Sequence, residues 1–302
     1  FVSENCKTKD NWPATTWWLR SPGSDAAEAA VITASGKIVS HNVFDTNGIR
    51  PAMWVNIDDV ARQNDEENTD SSSDPYAKYT LESRVQFGSY TQSANGADQT
   101  PIEWIILERE NDKALLLSYY GLDCVPYNNE LSSTTWEDCT LRTWLNNEFI
   151  NSAFSAVERE SILVTDVDCN QGLYSGNLVA TGGNSTQDKV FLLSYVEANR
   201  YLGVADDGNC MKARASATEY AASNGAWVSS HGWWGAEQKT LSGENATFWW
   251  LRSPGYLQFR ALRVNDAGGA TQSEVNNTDT CIRPAIWVSL ENEELFTISY
   301  VY

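Results

Sequence analysis

The residues able to do chemistry are few and scattered. Six cysteines, Cys6, Cys124, Cys139, Cys169, Cys210 and Cys281, form an even set without a Cys-x-x-Cys pair, and only two histidines, His41 and His231, accompany them. Zinc needs clustered ligands, so this spacing points to disulfides instead, with the connectivity left open. Cys124 and Cys139 flank a short polar loop leading into a helix, where a bridge would contribute about 3 kcal/mol through loop entropy. Neither histidine lies in a nucleophile pattern, and the sequence has no His-Glu-x-x-His and no Gly-x-Ser-x-Gly elbow. Glu103, Asp123, Glu137 and Asp138 offer carboxylates for glycoside hydrolysis, but sequence spacing fixes no distance between them, and solvated carboxylates are the simpler reading. Loop oxygens at Asp206-Asp207-Gly208-Asn209 and Asn265-Asp266 could hold a structural calcium, although their spacing matches no EF-hand. The sequence therefore predicts no catalytic residue, no resident cofactor and no enzyme.

Arginine and tryptophan carry the stronger signal. Trp17-Trp18-Leu19-Arg20-Ser21-Pro22-Gly23 recurs unchanged as Trp249-Trp250-Leu251-Arg252-Ser253-Pro254-Gly255. Further on, Ile49-Arg50-Pro51-Ala52-Met53-Trp54-Val55 recurs as Ile282-Arg283-Pro284-Ala285-Ile286-Trp287-Val288, with one inserted residue between the blocks. A repeated guanidinium can recognise an anion, or it can tie loops together through carboxylates and backbone carbonyls; the Ser-Pro-Gly turn beside it favours the second. Adjacent tryptophans in a strand face opposite sides of a sheet, so one can be core while the other needs cover or a partner. Trp54 and Trp287 read as core. Trp233 and Trp234, beside His231 in a Gly/Ser-rich loop, are the ligand-binding candidates. Trp17, Trp18, Arg20, Arg50 and Trp54 are the assembly candidates.

These residues need elements to hold them. Between the two motifs each copy has a short alternating segment, Ala29-Ala30-Val31-Ile32 or Ala261-Leu262-Arg263-Val264, then a glycine turn at Gly36 or Gly268-Gly269. That order reads as strand, hairpin, strand in an antiparallel sheet. The second copy follows a long front half, roughly residues 79 to 235; the first has none within this sequence. We expect a partial, back-half repeat over 1–58, an acidic Ser/Asn-rich linker over 59–78, and a complete domain over 79–302. About 17 linker residues span roughly 20 to 25 Å.

In the front half, Val85–Tyr90, Ile102–Leu107 and Ala114–Ser118 read as a meander. Leu141, Trp144, Leu145 and Phe149 form one apolar helix face, with Thr134 and Glu137 as a candidate capping box. A short helix is expected over Ala156–Ile162, a buried strand over Val190–Ser194, and a helix from Val196 to Tyr201 carrying Glu197 and Arg200. The class is α+β: a twisted, mostly antiparallel sheet with two packed helices, plus a partial second copy.

Composition narrows the partners. There are 40 acidic against 21 basic side chains and a net charge of -19, which repels a phosphate backbone, so nucleic acid is excluded as a partner. No apolar run is long enough for a membrane helix, the first residues are not a signal peptide, and the missing initiator Met reads as a processed chain or a fragment. Sequons at Asn184, Asn245 and Asn276 would be glycan acceptors in a eukaryotic secretory pathway, although such short patterns arise by chance. With 13 Trp, 13 Tyr and 9 Phe, the chain has large apolar anchors for a core or a binding surface.

The Trp-Leu-Arg-Ser-Pro-Gly and Arg-Pro-Ala-x-Trp motifs resemble an uncharacterised bacterial domain family of secreted and surface proteins, over nearly all of residues 79 to 290 and, separately, 1 to 58. More distantly, the aromatic strand, glycine hairpin and closing arginine strand are similar to the C-type-lectin fold of the formylglycine-generating-enzyme branch. That branch also includes variable receptor-binding proteins of phages and bacteria. The working cysteines of those enzymes are absent: Phe259–Arg263 has no Cys, Cys281 stands alone, and Gly48 occupies its place in the first copy. The resemblance, with the loop aromatics, implies a secreted or cell-surface protein for adhesion or ligand recognition; the back half over 1–58 without its own front half points instead to self-assembly as a filament or array, by docking onto a neighbouring copy, or to a sequence that begins inside a longer tandem array. Its partners would be other copies of itself, a glycan or a host surface protein.

Overall fold

The computed structural model describes residues 16–22, 24, 27–33, 37–45, 47, 74–169, 173, 174, 177–205, 209–229 and 238–301. It divides into two units, Phe1–Ser71 and Ser72–Tyr302. In the first, β1 (Trp17–Pro22), β2 (Glu28–Ile32) and β3 (Ile38–Asn42) form an antiparallel sheet in chain order. Trp17 lies opposite Ile32 and Trp18 opposite Val31, and a bulge separates them from the Pro22–Ala29 pair.

The second unit opens with the expected meander, β4 (Arg84–Tyr90), β5 (Thr100–Glu110) and β6 (Lys113–Ser118). Alternate residues Val85 and Phe87, and Ile102, Trp104 and Ile106, are buried, as a period of two requires. Asn111, at a positive φ of 53°, turns β5 into β6. Asp74 pairs with Arg109 at 2.7 Å, and Lys78 with Glu293, so residues given to the linker on composition are anchored to this unit.

After β7 (Asp123–Cys124) comes a continuous helical run: α1 (Thr140–Trp144), a π turn over Leu145–Phe149, and α2 (Ile150–Ala153). Leu141, Leu145 and Phe149 are buried on one face. The Thr134–Glu137 capping box does not form. The helix starts later, at Cys139, whose Sγ accepts from the Arg142 N–H, while Thr134 Oγ1 donates to Thr135 O. The next helix, α3 (Ala156–Ser161), does carry a capping box, from Ser155 and Glu158.

Short ribbons follow: β8 (Thr165–Val167), β9 (Leu173–Tyr174) paired with β10 (Asn177–Leu178), and β11 (Thr186–Asp188) paired with β8. Val190–Ser194, expected as a strand, is irregular, with Val190, Phe191, Leu192 and Leu193 buried and a single bridge from Phe191 to Ala285. Apart from the bridge bonds at Phe191 and the Arg252 N–H donating to Leu193 O, its backbone groups go to side chains instead of a ladder. Asn146 Oδ1 accepts from the Val190 N–H, Asn146 Nδ2 donates to Val190 O, and Arg252 takes Leu192 O. Then α4 (Tyr195–Leu202) runs from a Ser194–Glu197 capping box to Gly203, whose φ of 73° ends the helix.

The remaining elements are β12 (Ala215–Ser216), α5 (Glu219–Ser223), β13 (Ala246–Thr247), β14 (Trp249–Pro254), β15 (Arg260–Val264), β16 (Ala270–Glu274), β17 (Cys281–Ile282), β18 (Ala285–Ser289) and β19 (Thr297–Tyr300). Two five-stranded sheets result, ordered β18-β6-β5-β4-β19 and β16-β15-β14-β17-β7, antiparallel except where β14 meets β17. The unit is α+β and mostly antiparallel. Arg283-Pro284 carries the chain from one sheet to the other. Proline has no N–H to offer a ladder, and its carbonyl accepts from Ser118.

Candidate functional site

The repeated motif is the chemical centre of the second unit, and its side chains are enclosed. Trp249 and Trp250 point to opposite faces of β14, and both are fully buried. The Trp249 indole N–H donates to Ala213 O at 3.0 Å, and that of Trp250 to Val125 O at 3.2 Å. Tyr127 packs edge-on against Trp250, ring centroids 5.8 Å apart, and its hydroxyl donates to Arg252 O at 2.9 Å. The sheet is thus covered on both faces by the front half.

Arg252 is buried and saturated. Its Nη1 donates to Leu192 O at 2.7 Å and to Glu197, its Nη2 to Glu197 at 3.0 Å and Asp168 O at 3.0 Å, and its Nε to Asp168 O at 3.2 Å. The guanidinium fork ties β14 to the start of α4 and to the loop after β8, so it binds no outside anion in this state. Pro254 and Gly255 close the turn. A Cβ on Gly255 would meet Gln272 Oε1 at 2.7 Å and Arg260 Cβ at 2.9 Å.

Arg283 is the second enclosed guanidinium. Its Nε donates to Ser118 O at 2.7 Å, its charge lies 5.0 Å from the centre of the Trp249 ring, and its Nη1 has no hydrogen-bond partner. Burial pulls its pKa down to about 9, opposed by Tyr119. Pro284 and Ile282 are buried beside it, and Trp287 on β18 is half-buried against the core. Arg263, unmarked in the sequence, holds Asp279 and the Thr280 hydroxyl, both at 2.7 Å, and stacks over Phe248 at 4.3 Å.

The five described cysteines are free thiols. Cys124 donates to Thr278 O at 3.0 Å, Cys139 to Trp136 O at 3.3 Å, Cys169 to Val167 O at 3.6 Å and Cys210 to Leu202 O at 2.9 Å. Cys281 lies 3.5 Å from Thr247 Oγ1. The expected Cys124–Cys139 bridge is therefore absent; Cys139 is the N-cap of α1, and Cys124 faces Cys281 across β7 and β17. Burial pushes the thiols of Cys124 and Cys139 up to about 12, and that of Cys281 higher still.

The carboxylates singled out on sequence are engaged in structural bonds. Asp123 accepts from Tyr90 Oη at 2.8 Å and from Asn224 at 2.9 Å. Glu103 pairs with Arg84 at 3.1 Å, Glu137 accepts from the Asn184 side chain at 2.9 Å, and Asp138 accepts from Thr135 at 3.2 Å. Residues flanking the two oxygen-rich segments meet: the Ala270 N–H donates to Ala205 O, and Gly268 sits against Cys210 O. A guanidinium already stands between them, with Arg214 donating to Asn209 Oδ1 and, at 3.3 Å, to Ala267 O. Among the described residues no cluster of three or more His, Cys, Asp or Glu could hold a metal ion.

Of the sequons, Asn184 is exposed, Asn245 accepts from Lys239, and Asn276 is half-buried. Cys6, Arg50, Trp54, Asp206, Asp207, His231, Trp233 and Trp234 lie outside the described residues. His41 is half-buried on β3, 3.7 Å from Asp45.

Sequence reasoning missed the groups that complete the motif. Glu197 was visible as a helix residue, but nothing local marked it as the partner of Arg252. The buried Asp188, which accepts from Trp136 at 3.0 Å and from Arg142 at 2.7 Å, carried no signal beyond being one of many acidic residues.

The first unit repeats the hairpin in register. Every β1–β2 and β2–β3 pair has its counterpart in β14–β15 and β15–β16, and the bulge falls at the same place. Here Trp17, Trp18 and Leu19 are half-buried and Arg20 is exposed. A family model described as Domain of unknown function (DUF6273) matches residues 2–57 and 111–290. No curated protein and no solved structure matches the chain. Among the described residues no helix is long and apolar enough to cross a membrane.

Proposed function

The chain belongs to this domain family of unknown function, and on that premise we propose that it is a non-catalytic extracellular or cell-surface protein. It assembles, as a filament or surface array, or adheres, with residues 1–58 docking onto a neighbouring copy. The observation that carries this reading is the contrast between two in-register hairpins: Trp249 and Trp250 are fully buried, whereas Trp17 and Trp18 are half-buried and Arg20 is exposed. Exposed apolar strand surface is an association hazard unless something covers it, and a partner protein is the usual cover. The engaged arginines, high-pKa thiols and hydrogen-bonded carboxylates of the second unit support a structural role for its motif. We read the finer fold as C-type-lectin-like, supported by the aromatic strand, the glycine hairpin and the closing arginine strand; fold alone assigns no ligand.

Sedimentation velocity of the whole chain against a chain shortened to residues 72–302 tests the proposal. Self-association that grows with concentration and vanishes on shortening is expected. Monomers in both samples at high concentration would overturn it. Glycan recognition, the alternative, rests on Trp233 and Trp234 in the sequence; binding to an immobilised glycan that Trp233→Ala abolishes would favour it.

A further inference from the structure

We infer that Cys124 and Cys281 are a dithiol pair that an oxidant closes into a cross-strand disulfide, stapling the front half of the second unit to its repeated motif. This is independent of assembly and of residues 1–58.

Position selects the pair. Among the described cysteines, Cys124 on β7 and Cys281 on β17 are the two that lie in strands, and they stand directly opposite each other in an antiparallel ladder. Opposed residues put their side chains on the same face of a sheet. The Cys281 N–H donates to Phe248 O at 2.8 Å, on the β14 side, so its backbone groups point away from β7. Between β7 and β17 the two cysteines are therefore a non-hydrogen-bonded pair, where Cα atoms approach to about 4.5 Å and side chains are closest. Disulfides span Cα separations of about 4.4 to 6.8 Å, so closure requires no backbone movement.

In the dithiol state each sulfur has a weak contact of its own. Cys124 Sγ donates to Thr278 O at 3.0 Å, and Cys281 Sγ lies 3.5 Å from Thr247 Oγ1. Rotation about each Cα–Cβ bond exchanges these contacts for the S–S bond. The other described cysteines have no opposed thiol: Cys139 caps α1 through the Arg142 N–H, Cys169 donates to Val167 O and Cys210 to Leu202 O.

Exposure sets the order of the chemistry. Cys281 is fully buried and Cys124 is half-buried, so a small-molecule disulfide, an oxidant of oxidising compartments, meets Cys124 first. The Cys124 thiolate attacks one sulfur of the reagent, whose S–S bond breaks, and one thiolate leaves. Cys281 then gives up its proton, and its sulfur attacks Cys124 Sγ and displaces the second thiolate. The two cysteines lose two electrons, the reagent gains them, and both protons end on the released thiols. Cys281 needs no access to solvent, because its target lies across the ladder.

The bond falls where a staple has most effect. β7 and β17 are two residues long, and β7 is the edge strand through which the front half joins the motif sheet. A cross-link here closes a long loop, the case in which the unfolded chain is restricted most.

The test refolds the whole chain from urea in a mixture of reduced and oxidised glutathione. Burial holds the native Cys124 thiol up to about 12, which slows exchange in the folded protein. Native chain held with oxidised glutathione at mild alkaline pH gives a second, slower route that needs no refolding. Remaining thiols are alkylated in urea, and the unreduced protein is digested and mapped by mass spectrometry. By either route the expected product is a peptide pair joined through Cys124 and Cys281, with Cys139, Cys169 and Cys210 alkylated. The joined protein should melt about 4 °C or more above the same protein reduced with dithiothreitol. Cys124→Ser should abolish both the joined peptides and the melting difference. Free Cys124 and Cys281 by both routes, a bridge from either to another cysteine, or a joined pair that melts no higher than the reduced protein would overturn the inference.

Discussion

Arg252 and Glu197, on β14 and α4, meet in a two-pronged ion pair, and the same Glu197 carboxylate accepts from the Ser194 N–H at 2.7 Å to cap its own helix. One carboxylate thus fixes both the start of a helix and the strand beneath it. Arg252→Ala strands that carboxylate and three backbone carbonyl contacts, and is expected to cost about 3 to 5 kcal/mol. Glu197→Gln keeps the capping hydrogen bonds and should cost less. The matching Arg20→Ala, on an exposed side chain, should stay within about 0.5 kcal/mol. Urea denaturation of the three variants reads all of this, and a loss below about 1 kcal/mol for Arg252→Ala would contradict the structural role.

Trp250→Ala removes a fully buried ring together with its hydrogen bond to Val125 O, and should destabilise by about 3 to 5 kcal/mol. Trp18→Ala, half-buried in the first unit, should cost clearly less in the isolated chain. If the two losses are equal, the Trp18 face is already covered to the same extent as the Trp250 face, and the docking proposal loses its main support.

Thiol reactivity offers a direct check on burial. Alkylation needs the thiolate, and Cys139 is held neutral with its pKa pushed up to about 12, while Cys281 is raised further. Native protein treated with iodoacetamide at mild alkaline pH should leave both unlabelled, and urea should release them. Rapid native labelling of either, read by mass spectrometry of its peptide, would show that β17 or the α1 cap opens readily.

Much of this architecture is legible in the sequence because it is periodic or duplicated. The meander follows from alternation at Val85–Tyr90 and Ile102–Leu107, and the hairpin from the duplicated Trp-Trp-Leu-Arg-Ser-Pro-Gly. The apolar face at Leu141, Leu145 and Phe149 marks the helix, but not its start, because the cap is a cysteine, a residue type with no capping preference. Val190–Ser194 has strand composition, yet Asn146 and Arg252, distant in sequence, take its backbone groups. Free thiols were not legible either: even counts suggest pairs, but pairing depends on geometry that spacing alone does not carry. The Arg252 partner was hidden for the same reason.

The pH dependence of stability should carry two opposed signatures. Hydrogen bonds from Ser93 and Thr100 side chains and from backbone N–H groups of Ser93 and Gln92 hold Asp98 well below the ordinary carboxylate value. A depressed folded pKa gives stability that is present above the unfolded value of 3.8 and lost as pH falls through the folded one. Asp266 is the reverse. Burial raises its pKa against hydrogen bonds from Ser229 and the backbone, and its Oδ2 has no partner. The folded state then holds the proton more tightly, so stability is fullest below the unfolded value and declines as pH rises through the folded one. Asp98→Asn should therefore lower the urea midpoint at neutral pH and change little at about pH 3. Asp266→Asn should raise the midpoint at neutral pH and likewise change little in acid. Midpoints measured across this range, with each variant compared with the parent chain, must move apart in opposite directions as pH rises; a common direction would mean that Asp266 is charged and satisfied in the folded protein.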